Sequence, residues 1–267
     1  MACTLKELQD TEYEILCSFA DFCDKHKIEY VLFGGTLLGA IRHNDFIPWD
    51  DDIDVCMDYK NFRKFVHKIK KNPIPRMHFS WAGTDLQHPN NFAKLRKLGT
   101  YMVLDSNKGL DICNGVWLDI FVYTGRPKNP KIEKLQTNVY RLFSFLGRQY
   151  FFEIIDRNNQ EEYQYSKKYK LITGLPSKVN GLLRRMLFSL YNALGGKKSE
   201  YVGFNDWTVN PKEPVLRENY TPICKHVFRD REFSVPANYD QSLRAIYGDY
   251  MVPKEYPSHT DLSKIEL

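Results

Sequence analysis

The sequence lacks long apolar runs, cysteine motifs and the common signatures of zinc or covalent catalysis. No stretch of about 18 consecutive apolar residues occurs in its 267 residues, so we expect no membrane-spanning segment. The amino terminus has no apolar core of a signal peptide and the six cysteines include no CxxC pair, so we expect a cytoplasmic protein with reduced cysteines. HExxH, nucleophile-elbow and P-loop lysine motifs are absent, which argues against zinc proteases, serine hydrolases and Walker-type ATPases.

Two segments within residues 34–55 carry the most distinctive pattern in the chain. The first, GGTLLGAIRH, begins at Gly34 with a glycine turn that leads into a helix, and the second, IPWDDDIDV, begins at Ile47 and places four aspartates within five residues. Crowded carboxylates raise each other's pKa, and a hard divalent cation such as Mg²⁺ or Mn²⁺ would offset their repulsion. A glycine turn at a helix start leaves backbone N–H groups free to bind phosphate. Together the two features predict phosphoryl or nucleotidyl transfer.

The four aspartates of this block are expected to differ in role. On an extended strand, side chains alternate between faces, so Asp50, Asp52 and Asp54 should point one way and Asp51 the other. We predict Asp52 and Asp54 as metal ligands, because the apolar residues that alternate with them would line the opposite, buried face. Asp50 either completes the metal site or orients the loop. Asp51 is expected to contact solvent or the loop.

Outside this block, Asp119 is the main further candidate for the site. It lies in an apolar strand, and a buried aspartate is rare unless it is paired or bound to metal. We therefore expect Asp119 to be a third metal ligand, or the base that takes a proton from an acceptor hydroxyl. Lys94 and Arg96 should share a strand face, where one could neutralise phosphoryl oxygens. Solvated charge on a strand is the alternative for both.

Several further residues are predicted to bind substrate. The full set comprises Gly34, Gly35, Thr36, Arg42, His43, Trp49, Lys94 and Arg96. The glycine turn should hold donor phosphates, with a purely structural turn as the alternative. Arg42 and His43 could face the phosphates or the acceptor, and an ordinary salt bridge is the other interpretation of Arg42. Trp49 either packs in the core or stacks on a base.

Hydrophobic periodicity and capping signals predict a mixture of strands and helices in the first part of the chain and mainly helices in the later part. Thr4 and Glu7 form a capping box for a helix that runs to about residue 27, and Asp58 should cap another. Predicted strands are 29–33, 53–57, 77–81, 92–98, 101–104 and 116–123, and further helices are 36–42, 130–156, 176–194 and 238–247. This order favours an α+β fold with a small mixed sheet and a helical C-terminal portion.

The block GGTLLGAIRH…IPWDDDIDV resembles the signature of the LicD family, the phosphorylcholine transferases of bacterial surface glycans, which are related to fukutin and fukutin-related protein. Two later segments fit this resemblance. GVWLDIF at 115–121 is similar to the family's downstream aspartate strand, and YGDYMVP at 247–253 is similar to its C-terminal YGDYM-x-P element. The resemblance extends from about residue 5 to about residue 255. It implies a nucleotidyltransferase-like fold.

No linker or repeat divides the chain, so we predict one domain over 1–267, with a catalytic sheet region at 1–125 and a mainly helical elaboration at 126–267. The resemblance implies a CDP-activated alcohol as donor, CDP-choline first, with Mg²⁺ or Mn²⁺ assisting and CMP leaving. The acceptor would be a sugar hydroxyl of a glycan or lipid-linked glycan, such as teichoic acid or lipopolysaccharide. Two alternatives stay open: a nucleotidyltransferase that acts on an NTP and releases pyrophosphate, and a non-catalytic glycan-binding protein.

The net charge of +5 is unevenly distributed. Residues 126–200 hold fifteen Lys and Arg against six Asp and Glu, interleaved with Tyr and Phe. A solvated helical surface is one interpretation of this segment. The other is a docking surface for an anionic glycan or for the cytoplasmic leaflet, which would place the protein peripherally at the inner face of the plasma membrane. No nucleic-acid recognition motif is present, so we expect no nucleic-acid partner.

Overall fold

The computed structural model describes residues 3–104, 110–158, 174–196, 198–205, 215–254 and 260–267, with only the backbone described over 148–158. Its helices are α1 (Leu5–His26), α2 (Gly34–His43), α3 (Tyr59–Lys71), α4 (Pro130–Asn158), α5 (Ser177–Leu194) and α6 (Tyr239–Tyr247). Its strands are β1 (Val31–Leu32), β2 (Asp54–Asp58), β3 (Met77–Ser80), β4 (Ala93–Lys97), β5 (Tyr101–Met102), β6 (Trp117–Gly125), β7 (Tyr201–Phe204), β8 (Val215–Leu216), β9 (Ile223–Phe228), β10 (Arg231–Pro236) and β11 (Ile265–Glu266). Within the described ranges, no helix combines the length and apolar character that crossing a membrane requires.

A mixed sheet forms the centre of the fold. Its strand order is β1-β2-β6-β4-β3, and β7 pairs with the far end of β6 and with β8. β2 and β6 run parallel, and the other pairs of this sheet are antiparallel. β6 is buried along its whole length. The helices and this mixed sheet confirm the expected α+β fold, and they place β2, β6 and β4 side by side at its centre.

Apolar side chains cover both faces of the sheet. On one face, α1 and α2 pack against alternate residues of the central strands in a large cluster that includes Phe19, Leu95 and Ile120. On the other face, a second cluster includes Phe121 and Phe204. Because neighbouring residues of a strand point to opposite faces, β6 contributes to both clusters. The sheet therefore lies between two apolar layers, and the polar side chains on its strands are exceptions to this pattern.

Helix α1 begins as the sequence predicts. The Thr4 hydroxyl accepts a hydrogen bond from the backbone N–H of Glu7, and the Glu7 carboxylate accepts one from the backbone N–H of Thr4, at 2.8 Å. This reciprocal pair satisfies two donors that the helix itself leaves unpaired. The buried face of α1 is mostly apolar, but it also carries the polar residues Gln9 and Glu12. Both lie on the side of α1 that faces the aspartate block.

The aspartate block itself differs from the prediction. β2 begins only at Asp54, and the three preceding aspartates lie in an irregular segment, because β1 gives way to α2 after Leu32 and leaves no strand to pair with on that side. The prediction that Asp50, Asp52 and Asp54 share one strand face is therefore wrong. Asp51 is only 2% exposed, which excludes a contact with solvent and leaves the loop contact as the remaining expectation for this residue.

The chain beyond residue 200 contains strands that the sequence pattern does not predict. β9 and β10 form an antiparallel hairpin whose two-residue turn is Arg229 and Asp230. Hairpin turns of this length are usually signalled by Asn-Gly or Asp-Gly, and here Arg229 adopts the left-handed conformation instead, with φ 59°. Phe228 and Phe233 of the hairpin are buried in the main core. The C-terminal portion thus combines helices with short strands.

Candidate active site

The first turn of α2 is closely packed against two aspartate side chains. A Cβ atom on Gly34 would lie 2.7 Å from Asp54 Oδ2, and one on Gly35 would lie 2.5 Å from Asp50 Oδ2. Gly34 also has φ 54°, a left-handed conformation that glycine adopts without strain. The Thr36 hydroxyl accepts a hydrogen bond from the Asp54 backbone N–H at 2.7 Å. The glycine turn therefore holds carboxylates at the positive end of a helix, where negative charge is stabilised.

Three neighbouring strands present charged side chains in one row. Asp54 on β2 is the register partner of Asp119 on β6, and Asp119 is the register partner of Lys94 on β4. Residues directly opposite each other on paired strands project from the same face of the sheet. Lys94 Nζ lies 2.6 Å from Asp119 Oδ1. Burial raises the pKa of Asp119, and the Lys94 ammonium opposes this rise.

Lys94 and Arg96 are buried, so the alternative of solvated strand charge is wrong for both. Lys94 is 2% exposed and Arg96 is 0% exposed. The Trp117 ring contacts both cations, with its centroid 4.1 Å from Lys94 Nζ and 4.9 Å from Arg96 Cζ. Burial lowers the pKa of Lys94 to about 8, and the Asp119 carboxylate partly offsets that decrease. Arg96 Nη1 donates a hydrogen bond to the Gly115 carbonyl at 3.2 Å.

The carboxylates of the site strongly affect each other's ionisation. Burial raises the pKa of Asp50 to about 8, and the negative charges of Asp52 and Asp51 add to the shift. Burial also raises the pKa of Asp54 well above its usual value, with further contributions from Asp52 and Asp119. The side chains are therefore close enough to interact, although they lie on different local elements. A group of acids in this state has a strong tendency to bind a proton or a cation.

Sequence reasoning did not identify Glu12, which also faces this group of acids. It lies on α1, is 1% exposed, and its Oε2 atom has no hydrogen-bond partner. Burial raises its pKa well above the usual value, and Asp52 makes the largest contribution among the neighbouring charges. A signal was present in the sequence. Glu12 falls four residues after Leu8 and three before Ile15, in the middle of the apolar stripe of the helix.

Arg42 and His43 lie at the end of α2 that is farther from the row of charges. Arg42 and His43 end α2, roughly 12 Å along the helix axis from Gly34 at about 1.5 Å per residue. Arg42 Nη1 donates to the Tyr250 carbonyl at 2.7 Å, and Arg42 Nε donates to His43 Nε2 at 2.9 Å. These contacts join α2 to the YGDYMVP segment. Trp49 is half-buried and packs against the main core, which favours the packing interpretation of this residue.

The side chains of the candidate site can be compared with the ligands that divalent cations prefer. In the part of the chain described here, no three His, Cys, Asp or Glu side chains converge closely enough to enclose a metal ion as they stand. The chemistry nevertheless fits a hard cation, because the available atoms are carboxylate oxygens whose pKa values are raised by burial and by each other. Asp119 is paired with Lys94 in this arrangement.

Comparison with known proteins identifies the family of the chain. The family model described as the LicD/FKTN/FKRP nucleotidyltransferase domain matches residues 27–100. The chain is 32% identical over 255 residues to the lipopolysaccharide cholinephosphotransferase LicD of Haemophilus influenzae, which covers 93% of this chain and 91% of that protein. A shorter match, 40% identical over 53 residues, joins it to the ribitol 5-phosphate transferase FKRP of human and mouse and covers 20% of this chain and 10% of that protein. The chain belongs to the LicD family, and it is an enzyme of the transferase class.

Proposed function

We propose that the protein transfers a phosphorylated alcohol from a CDP-activated donor to a sugar hydroxyl of a surface glycan. The observation that carries the proposal is the row of Asp54, Asp119 and Lys94 beside the first turn of α2. Relatives named for transfer of phosphocholine and of ribitol 5-phosphate support it, because both names describe movement of a phosphorylated alcohol. CDP-choline is the first candidate donor. Lipopolysaccharide or a teichoic acid is the candidate acceptor.

Mg²⁺ or Mn²⁺ would be held by aspartate oxygens in this proposal. The candidate ligands are Asp50, Asp52, Asp54 and Asp119. When bound, the cation would supply positive charge for the phosphoryl oxygens and the departing CMP. A non-catalytic glycan-binding protein would gain no stability from burying several mutually repelling carboxylates, so the site favours catalysis over that alternative.

The protein's own residues would position the reactants and move one proton. The positive end of α2, at Gly34 and Gly35, would orient the donor phosphates. Asp119 would accept the proton of the acceptor hydroxyl, and Lys94 would keep Asp119 ionised in its buried setting. The hydroxyl oxygen would then form the new bond to phosphorus while the bond to CMP breaks. Holding the two substrates in line supplies the rest of the rate enhancement.

Product analysis tests this function. The purified protein would be incubated with Mg²⁺, a glycan acceptor and each of four donors: CDP-choline, CDP-ribitol, CDP-glycerol and CDP-ethanolamine. We expect acceptor-dependent release of CMP with one donor. Pyrophosphate released from CTP would instead support the nucleotidyltransferase alternative. Absence of turnover together with absence of Mn²⁺ binding would support the glycan-binding alternative.

Stability without divalent ions should fall as the pH rises. The folded-state pKa of Asp50 is raised to about 8, chiefly by burial and then by Asp52 and Asp51. An acid whose pKa is raised on folding contributes its full stability below the unfolded pKa of about 4 and loses it as the pH rises through the folded value. The free energy of unfolding should therefore decrease between about pH 4 and pH 8, by about 1.4 kcal/mol per pH unit for each proton released.

Urea unfolding in EDTA across this pH range provides the measurement. Mg²⁺ should flatten the decrease, because a cation replaces the protons, and Asp50→Asn should reduce its slope. Glu12 and Asp54 have raised pKa values in the same cluster and will contribute to the slope, while the Lys94 ammonium opposes the rise at Asp54 and at Asp119. A stability that stays constant from pH 4 to pH 8 in EDTA would contradict the clustered burial of these acids.

The basic segment 126–200 is proposed to bring the enzyme to an anionic acceptor surface. Its residues 159–173 and 197 lie outside the described ranges. In the described part, α4 and α5 expose basic side chains, among them Lys131, Lys134, Lys178 and Arg185. Salt screens such charges over about 8 Å at physiological ionic strength. The KM for a lipid-linked acceptor should therefore rise steeply with salt while the KM for the donor rises less, and equal salt dependence would identify the segment as ordinary solvated surface.

A further inference from the structure

Glu12 is a buried acid with an unsatisfied oxygen. Its side chain is 1% exposed, and among the described residues its Oε2 is the only buried carboxylate oxygen without a hydrogen-bond partner. By comparison, the buried Asp119 is paired with Lys94, and the largely buried Asp85 accepts a hydrogen bond from Ser80. Burying an unpaired charged or polar group is strongly unfavourable, and binding a cation is one way in which proteins offset that cost.

The position of Glu12 is fixed by the packing of α1 on the aspartate loop, which we define as residues 50–52. One helical turn earlier, Gln9 Nε2 donates to the Asp50 carbonyl at 2.9 Å and to the Ile47 carbonyl at 3.3 Å. These two bonds tie α1 to both ends of the segment that leads into the loop. Because residues three apart on a helix are neighbours on its surface, Glu12 lies beside this contact.

The charges around Glu12 identify what its oxygen lacks. Asp52, Asp50 and Asp51 of the aspartate loop all raise the pKa of Glu12, because each of them repels it when ionised. Asp119 acts on it as well, and no cation is among the charges that affect it most strongly. Three or four neighbouring acids cannot stabilise the negative charge of a further acid. A proton or a cation would satisfy this oxygen, and the neighbouring acids offer carboxylate oxygens that could bind the same cation.

We propose that Glu12 is a ligand of the divalent cation held by the aspartate loop, bound directly or through one water molecule. This inference rests on the proposed function, because that function introduces the cation. Glu12 lies on α1, about forty residues before the aspartate block, whereas the other candidate ligands lie in the aspartate loop and on the sheet. A ligand role also explains why a helix that is mainly a packing element carries an acid in its apolar stripe.

The test is Mn²⁺ binding to the full chain, followed by the electron paramagnetic resonance signal of free Mn²⁺. Glu12→Gln keeps the size of the side chain and removes its charge, and we expect the Mn²⁺ affinity to weaken by about tenfold or more. Glu14→Gln is the matched control on the same helix. Glu14 is 64% exposed and pairs with Lys97, so its removal should leave Mn²⁺ affinity unchanged. Glu12→Asp keeps the charge with a shorter reach, and its affinity should fall between those of wild type and Glu12→Gln.

The outcomes separate this inference from the proposed function. If Asp54→Asn loses Mn²⁺ binding and Glu12→Gln keeps wild-type affinity, the inference is overturned and the cation site of the proposed function stands. If the wild-type protein binds no Mn²⁺, both are overturned. A merely structural role for Glu12 would change the melting temperature in EDTA but not the affinity for Mn²⁺. Should Glu12→Gln fail to fold, as judged by circular dichroism, Glu12→Asp decides, and wild-type affinity in that variant overturns the inference.

Discussion

Asp54→Asn is expected to lower the transfer rate by about 10²–10³-fold or more while leaving the protein folded. Asparagine keeps the shape of the side chain but removes the charge that a cation needs. The hydrogen bond from the residue 54 backbone N–H to Thr36 does not depend on the side chain and should remain. Removing one of several mutually repelling carboxylates should also raise the melting temperature in EDTA. Asp52→Asn is expected to behave in the same way.

Asp58→Asn is the matched control for this prediction. Asp58 lies at the other end of β2 and caps α3, where its carboxylate accepts a hydrogen bond from the Asn61 backbone N–H at 2.7 Å. Asparagine caps helices about as well as aspartate, so activity and stability should stay close to wild type. The transfer rate at saturating Mg²⁺ is the measurement. Near-wild-type activity of Asp54→Asn under that condition would remove Asp54 from the metal site.

Features coded by short stretches of sequence could be predicted. The capping box at Thr4, the cap at Asp58 and the helix after the glycine turn depend on residues within one or two turns of each other, and the structure contains all three. The strands at 77–81, 92–98 and 116–123 were also predicted to within two residues of their observed bounds. The family resemblance, which rests on contiguous motifs, is confirmed by the comparisons.

Features that depend on strand register could not be predicted. The ion pair between Lys94 and Asp119 joins residues on antiparallel strands, and nothing in either segment states which residue will face which. The sequence therefore left Lys94 equally consistent with a solvated strand face. The irregular path of the aspartate loop has a similar origin, because it depends on where β1 ends and α2 begins. Which of the predicted residues bind substrate or metal stays a prediction.

Glu12 shows a different limit of prediction from sequence. Its place in the apolar stripe of α1 can be read from the sequence, but a polar residue in such a stripe is often only the edge of the buried face. Its significance depends on what lies opposite, and that is set by tertiary contacts such as the hydrogen bond from Gln9 to the Asp50 carbonyl. The candidate site thus combines one contiguous motif, two distant strands (β4 and β6) and one helix.

Asp119→Asn and Lys94→Met are each expected to destabilise the protein by about 3–5 kcal/mol, because each leaves a buried charge without its partner. Lys94 Nζ lies 2.6 Å from Asp119 Oδ1, and both side chains are almost fully buried. The double variant removes both charges, and methionine can occupy the apolar space of the lysine stem beside Trp117. Its stability should therefore be close to that of the wild type, so that the coupling free energy in a double-mutant cycle measured by urea unfolding is comparable to the sum of the two single effects.

The transfer rate should not recover in the double variant, although its stability does. The double variant restores the packing but still lacks the carboxylate of Asp119. As a base, Asp119 should contribute about 10²–10⁴-fold to the acceptor-dependent rate, and Asp119→Asn would then bind Mn²⁺ and donor normally. As a metal ligand, Asp119→Asn should weaken Mn²⁺ binding and also slow any hydrolysis of the donor by water. The raised pKa from burial, which the Lys94 ammonium opposes, suits both roles, and we favour ligand first with base as the secondary role. Unchanged Mn²⁺ affinity together with an unchanged transfer rate in a folded Asp119→Asn variant would leave the pair with a purely structural role.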